Sequence, residues 1–389
     1  MKERISIISC PDYSFERVLE AVKLSTDLLG GIEHFVKPGD RVLLKPNLLS
    51  GRPPDKAVTT HPHMVKATIE LVRRAGGIPF IGESPGSGGL AKVAEKAGIK
   101  TVADEMDCPL VEFAECVEVS GHRIFKKLEV AKAALDADVI ISLPKVKTHC
   151  LTLLTLGIKN MFGCIPGKRK IEWHLKAGSN PKYFAEMLVE LYGVIRPELT
   201  IVDGIVAMEG NGPNFGIPRH VGLIFAGVDC VALDIVISEI LSIPVQGVIT
   251  TKVAVEKGLG VSDLKEIEVL GEKIEDVKVQ GFKTPKGFSP DNFIVNILSA
   301  LFSQSMTPRP VWIQDKCKVC KKCVDTCPPK SIRVENDKIY IDYKSCIRCF
   351  CCSELCPEEA IDVGQGFLLK LINQWQEKVA GISSGQTHA

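Results

Sequence analysis

The sequence predicts a large α/β unit with a mostly parallel sheet, followed by a small α+β cysteine-rich module and a C-terminal helix. Three observations carry this. Up to about residue 285, short β-branched runs alternate with helical patterns, the signature of βαβ units. Nine of the fifteen cysteines fall between 317 and 356. Between these regions lie "GFKTPKGFSPDN" (281–292) and "SMTPRP" (305–310), rich in turn residues, which mark a connection. The expected divisions are 1–305, 306–365 and 366–389.

In chain order, "RISIIS" reads as a first strand and "SFERVLEAVKLSTDLLGG" as a helix. "RVLLKP", "HMVKATIELVRRAGG", "IPFIGE" and "GLAKVAEKAGI" repeat the alternation. Further on, "DADVIISLPK" reads as a buried strand and "PKYFAEMLVELYGVI" as a helix. "ELTIVDGI" and "HVGLIFAG" are strands, and "DCVALDIVISEIL" is a helix with Asp229 at its cap. In the tail, Phe367, Leu368, Leu371, Ile372, Trp375 and Val379 share one helical face, which packing on the protein itself explains.

Composition excludes several classes. A net charge of +1 and no sustained basic run give no reason to expect a nucleic-acid partner. The run "FIVNILSALF" is about half of the ~20 residues a membrane-crossing helix needs, so no span is expected. The N-terminus lacks the long apolar stretch of a secretory signal, and the clustered cysteines are not those of a small secreted scaffold. A reducing cytoplasm is the expected location.

The cysteine pattern carries the chemistry. Cys317, Cys320, Cys323 and Cys327, followed by Pro328, fit C-x2-C-x2-C-x3-C-P, and Cys346, Cys349, Cys352 and Cys356, followed by Pro357, fit it again. This spacing predicts two [4Fe–4S] clusters, with each fourth cysteine serving the other cluster. One set is then Cys317, Cys320, Cys323 and Cys356, and the other Cys346, Cys349, Cys352 and Cys327. Zinc sites instead use two separated pairs. Cys351 is a surplus thiol, read as packed. The intervening "SIRVENDKIYIDYKS" reads as two strands around 335–337. Nine basic and nine acidic residues between 311 and 363 make the module neutral, as suits one docked on its own α/β unit.

In the large unit, polar clusters stand where strands should end, the place where open α/β sheets bind ligands. They are Lys45 and Asn47; Glu83, Ser84 and Gly86, a backbone anion cradle or simply a glycine-rich turn; Lys147, His149, Lys159 and Asn160; and Asp203 with Glu209, the latter in a flexible loop. Lysines bunched after an apolar strand, including Lys145, point to an anionic ligand, with a solvated loop as the alternative. Asp203 and Glu209 suit a metal, acid–base work or a turn cap. No Walker or dinucleotide glycine spacing is present.

"VLLKPNLL", "THPHMVKATIELVRRAGG", "GESPGSG", "KVKTHCLTLLTLGIKNMFG", "VDGIVAMEGNGP", "GVDCVALD" and "CIRCFCCSELCP" together closely resemble the family called domain of unknown function 362, in its ferredoxin-fused form. Glu83 stands where that family often has Asp. The resemblance implies iron–sulfur binding and a redox role, without a substrate. The leading expectation is an oxidoreductase that relays single electrons through two clusters to a small anionic substrate or cofactor. Lys147, His149 and Lys159 would bind or protonate it, and Asp203 would serve as acid, base or metal partner. The alternatives are an electron-transfer subunit that docks another redox enzyme, and a redox sensor or cluster-assembly factor.

Overall fold

The computed structural model describes residues 2–86, 88–120, 124–285 and 308–364. The chain forms two compact units, Met1–Lys283 and Thr284–Ala389. Their division falls inside the Gly/Pro-rich stretch 281–292 and ahead of the boundary expected near 305. That boundary and the tail helix expected over 366–389 lie outside the described residues.

The first unit carries strands β1 (Glu3–Ser9), β2 (Arg41–Pro46), β3 (Ile78–Glu83), β4 (Leu110–Glu112), β5 (Cys116–Val119), β6 (Leu128–Ala131), β7 (Val139–Leu143), β8 (Lys145–His149), β9 (Leu153–Thr155), β10 (Leu199–Glu209), β11 (Ile217–Gly227) and β12 (Ile267–Gly271). The main sheet runs β12-β1-β11-β10-β7-β2-β3-β4, with β8 pairing β10 and β9. β10-β7-β2-β3-β4 is parallel throughout; β11 is antiparallel to both of its neighbours. Parallel strands are covered on both faces and therefore read as continuous apolar runs. In β2, Val42, Leu43 and Leu44 are all fully buried, each contributing roughly 1.5–3 kcal/mol.

Helices Phe15–Asp27, Pro62–Arg74 and Ile99–Glu105 pack together over one part of the sheet, while Gly157–Asn160, Pro181–Val194, Cys230–Ile240 and Ile249–Glu256 form a second packed group. The helix Cys230–Ile240 starts where its sequence predicts a cap: Asp229 Oδ1 accepts from Val231 N–H at 2.7 Å and Ala232 N–H at 3.4 Å. From β2 the chain proceeds to β3 on one side, and later returns to β7 on the other. The carboxyl ends of β2 and β7 therefore flank a topological switch point, where a crevice for ligands opens.

Two sequence expectations change. Lys145, Lys147 and His149, for which a solvated loop was the alternative, lie in a further strand, β8, because pairing with β10 and β9 supplies the backbone partners. Glu209 is the last residue of the long strand β10, paired with Ile217, and not part of a flexible loop.

The second unit holds β13 (Arg309–Trp312), β14 (Ile332–Glu335), β15 (Lys338–Ile341) and β16 (Ile361–Gly364), paired antiparallel as β13-β16 and β14-β15. Asn336 and Asp337 both adopt left-handed φ at the β14–β15 turn, a conformation these two residue types tolerate.

Candidate functional site

In the second unit the chain folds each cysteine run around a cavity. Val319 and Lys321 in the first run, and Arg348 and Phe350 in the second, have φ between 49° and 61°. Left-handed residues at equivalent positions wind both loops tightly enough to turn three sulfurs inward. Cys317, Cys320, Cys323 and Cys356 line one cavity. Cys327, Cys346, Cys349 and Cys352 line the other. Each fourth cysteine thus lines a cavity with the opposite run.

The donor chemistry fits a cationic cluster. Burial pushes the Cys323 thiol up to about 11, with Cys356, Cys317 and Cys320 adding to the effect. Cys352 is raised well above the ordinary thiol value by burial and by Cys349, Cys346, Cys327 and Cys323. Sulfurs this close ionise together only when a positive core neutralises them. Cys351 is buried and hydrogen-bonded to Cys349, which raises its own thiol well above the usual range.

In the first unit the switch point is floored by buried charge. Lys45, on β2, is fully buried and ion-paired with Glu83 at the end of β3. Its ammonium also lies 3.1 Å from the Pro46 carbonyl and 3.4 Å from Asn160 Oδ1. Asn160 ends the short helix Gly157–Asn160 and donates to the Lys45 carbonyl at 3.1 Å and to Ser142 Oγ at 3.0 Å. Gly163 lies directly over the pair: a Cβ there would collide with both the Glu83 carboxylate and the Lys45 ammonium.

Two further amines approach. Lys170 is buried and donates to the Ser84 carbonyl. Burial lowers its pKa to about 8, Glu83 opposes that shift, and Lys45 and Lys159 reinforce it. Lys159 is half-buried, with its ammonium 5.5 Å from the Phe162 ring centroid. Lys45 and Lys170 therefore share the surroundings of the Glu83 carboxylate, and Lys159 acts on Lys170.

Asn47 connects this cluster to Lys147: its amide donates to Asn160 Oδ1 at 3.4 Å and accepts from Lys147 Nζ at 2.7 Å. Lys147 also donates to the Val58 carbonyl at 2.7 Å. The next residue, Thr59, buries its hydroxyl without a protein partner among the described residues. His149 is buried, and its Nδ1 accepts from the Leu151 and Thr152 amides at 3.0 and 3.3 Å. A neutral ring so held carries its proton on Nε2.

The expected glycine-loop cradle is partly spent on the protein itself. Gly86 N–H donates to the Leu49 carbonyl at 2.9 Å, and Ser84 N–H to Glu83 Oε1 at 2.9 Å. Ser84 Oγ accepts from Gly167 N–H at 2.8 Å. Glu209, buried, accepts from Lys283 N–H at 3.1 Å and stands apart from the lysine cluster in these contacts.

Asp203 belongs to a separate knot. Its carboxylate accepts from Tyr13 OH at 2.6 Å, Lys145 Nζ at 2.9 Å and His61 N–H at 2.9 Å. Tyr13 OH in turn accepts from Lys145 Nζ at 2.7 Å and Val206 N–H at 3.1 Å, the latter freed by the register shift between Gly204 and Val206. His61 stacks on Tyr13 with centroids 3.7 Å apart, and burial lowers its pKa to about 4. With three donors on its carboxylate, Asp203 clasps strands rather than standing open as an acid, base or metal ligand.

Sequence reading missed Tyr13, His61 and Lys170. Tyr13 follows the first strand, so the strand-end rule was the signal available. Lys170 hides in "KRK", where Lys168 is exposed and Lys170 is turned inward.

Residues 42–239 match the family described as Domain of unknown function (DUF362), and residues 309–357 the 4Fe-4S dicluster domain. The Thylakoid-associated protein sll1697 of Synechocystis sp. is 41% identical over 294 residues, 75% of this chain and 91% of that protein. The Pyruvate synthase subunit PorD of Methanocaldococcus jannaschii is 39% identical over 56 residues, 14% of this chain and 65% of that protein. Among solved structures, the lactate racemase apoprotein from Thermoanaerobacterium thermosaccharolyticum aligns with a TM-score of 0.40 at 13% identity, covering 59% of this chain and 54% of that one.

Proposed function

Because the chain belongs to the DUF362 family and joins that domain to a 4Fe-4S dicluster domain, we propose that it is an oxidoreductase serving a small anionic substrate or cofactor. The C-terminal module is an iron–sulfur electron-transfer domain. Our reading assigns it two [4Fe–4S] clusters, held by the two cysteine sets above. When bound, they supply single electrons and not hydride.

The observation that carries the proposal is the buried positive charge at the switch point: the Lys45 and Lys170 ammoniums stand against the single Glu83 carboxylate. One carboxylate offsets one ammonium, and an anionic ligand balances the remainder at low cost in desolvation. In this reading Lys159 and Lys170 hold the anion, while Lys45 and Glu83 shape the floor. Lys147 with Asn47 and Asn160 sets its far wall. The unpartnered Thr59 hydroxyl beside Val58 supplies a further polar contact. His149, with its proton on Nε2, donates a hydrogen bond to the ligand as it gains electron density. All fifteen cysteines are free of disulfides, which supports a reducing compartment, in our reading the cytoplasm. No helix of the described residues is long and apolar enough to cross a membrane.

A second reading is favoured by the likeness of the module to a pyruvate synthase subunit: the chain transfers electrons as a subunit of a larger redox enzyme. Anaerobic purification separates the two. A stoichiometric small anion released on denaturation, lost in Lys159→Met and Lys170→Met while iron stays at about eight per chain, supports the enzyme. A stoichiometric protein partner with no bound anion supports the subunit.

A further inference from the structure

Trp312 ends β13 and lines the cavity formed by Cys317, Cys320, Cys323 and Cys356. Its indole Nε1–H is buried and has no hydrogen-bond partner among the described residues. A buried donor left unmade is costly, so a well-folded module is expected to give it an acceptor. The described residues offer none here. The cavity beside it is ringed with cysteine sulfurs, and a bound cluster would bring further sulfur acceptors.

The two halves of the module differ at this point. Trp312 precedes Cys317 by the same interval at which Ile341 precedes Cys346, and Ile341 carries no donor. The sulfurs of the second site have other neighbours: Ser331 Oγ lies 3.4 Å from Cys327 Sγ, and the Cys351 thiol faces Cys349. Backbone amides serve the first site, with Val319 N–H 3.4 Å from Cys317 Sγ and Ala360 N–H 3.3 Å from Cys356 Sγ. Trp312 is thus a side-chain donor added to one site alone.

We propose that Trp312 Nε1–H donates a hydrogen bond to a sulfur of the cluster site formed by Cys317, Cys320, Cys323 and Cys356, and thereby holds up the reduction potential of that site. Donors to cluster sulfur stabilise the reduced, more negative state. Trp312 acts as a tuning residue and not as a ligand. The inference rests on both sites being loaded, which iron and sulfide content measures independently of potential.

The test is a dithionite titration followed by electron paramagnetic resonance on the full chain, comparing the parent with Trp312→Phe. Phe keeps the aromatic packing and loses only the donor. With iron and sulfide unchanged, one midpoint should fall in the variant while the other stays in place. Trp312→His, which retains a ring N–H, should fall less than Phe. Loss of iron from Trp312→Phe would move the comparison to Trp312→His against Trp312→Leu. Unchanged midpoints in fully loaded variants, or equal shifts at both sites, would overturn the assignment. An iron-free or zinc-loaded parent would instead overturn the cluster reading itself.

Discussion

Replacing Glu83 by Gln isolates the charge of the Lys45 partner with little change in shape. Lys45 and Glu83 have side-chain exposures of 0% and 3%, so solvent screens the pair weakly. At a contact distance of about 3 Å and an effective dielectric of about 20, the attraction is on the order of 5 kcal/mol. Removing one partner of a buried pair typically costs about 3–5 kcal/mol, because the other charge is left uncompensated. The Pro46 carbonyl and Asn160 Oδ1 remain as neutral acceptors, which places the expected loss toward the lower end, about 3 kcal/mol. Urea unfolding monitored by far-ultraviolet circular dichroism reads it. The double variant Lys45→Met with Glu83→Gln should recover much of the loss, since the Lys45 charge is then no longer left uncompensated. A Glu83→Gln loss below about 1 kcal/mol, the range of an exposed pair, would refute the buried-pair argument.

Replacing Cys327 by Ala should chiefly damage the site lined by Cys346, Cys349 and Cys352, and spectroscopic loss confined to the first-run site would contradict the crossed arrangement. Tyr13→Phe leaves Asp203, Lys145 and Val206 N–H each short of a partner and should cost at least about 1–3 kcal/mol in denaturant unfolding. Asp234 is buried with its pKa raised by burial to about 8, and its carboxylate accepts from Gly157 N–H at 2.9 Å. The folded state therefore holds a proton that the unfolded state releases near 3.8, so this group's contribution falls as pH rises from about 4 to about 8. Asp234→Asn should flatten that part of the stability–pH curve, and an unchanged slope would count against a protonated Asp234.

How much of this was legible in the residues follows from which interactions are local. The cysteine loops are set by spacing over a few residues, so C-x2-C-x2-C-x3-C-P identifies them directly. The β-branched runs of β2 and β7 show as strands because burial on both faces demands apolar residues throughout. β8 is different: "KVKTH" reads as a polar loop, and only pairing with β10 and β9 makes it a strand with buried lysines. Asp203 was visible as a strand-end carboxylate, but its partners Tyr13 and Lys145 stand 190 and 58 residues away. Such long-range pairing turns an apparent acid or base into a clasp. Lys170 looked like surface charge because a short run cannot show which of its side chains turns inward.

The central claim is that an iron–sulfur module serves an anion held by the buried lysines of the α/β unit. Mass spectrometry of small molecules released on denaturation from anaerobically purified protein tests it most directly, comparing the parent with the Lys159→Met, Lys170→Met double variant. The account predicts a stoichiometric anion from the parent and none from the variant, with both preparations holding about eight irons. No bound anion in the parent, or the same anion retained in full by the variant, would contradict it.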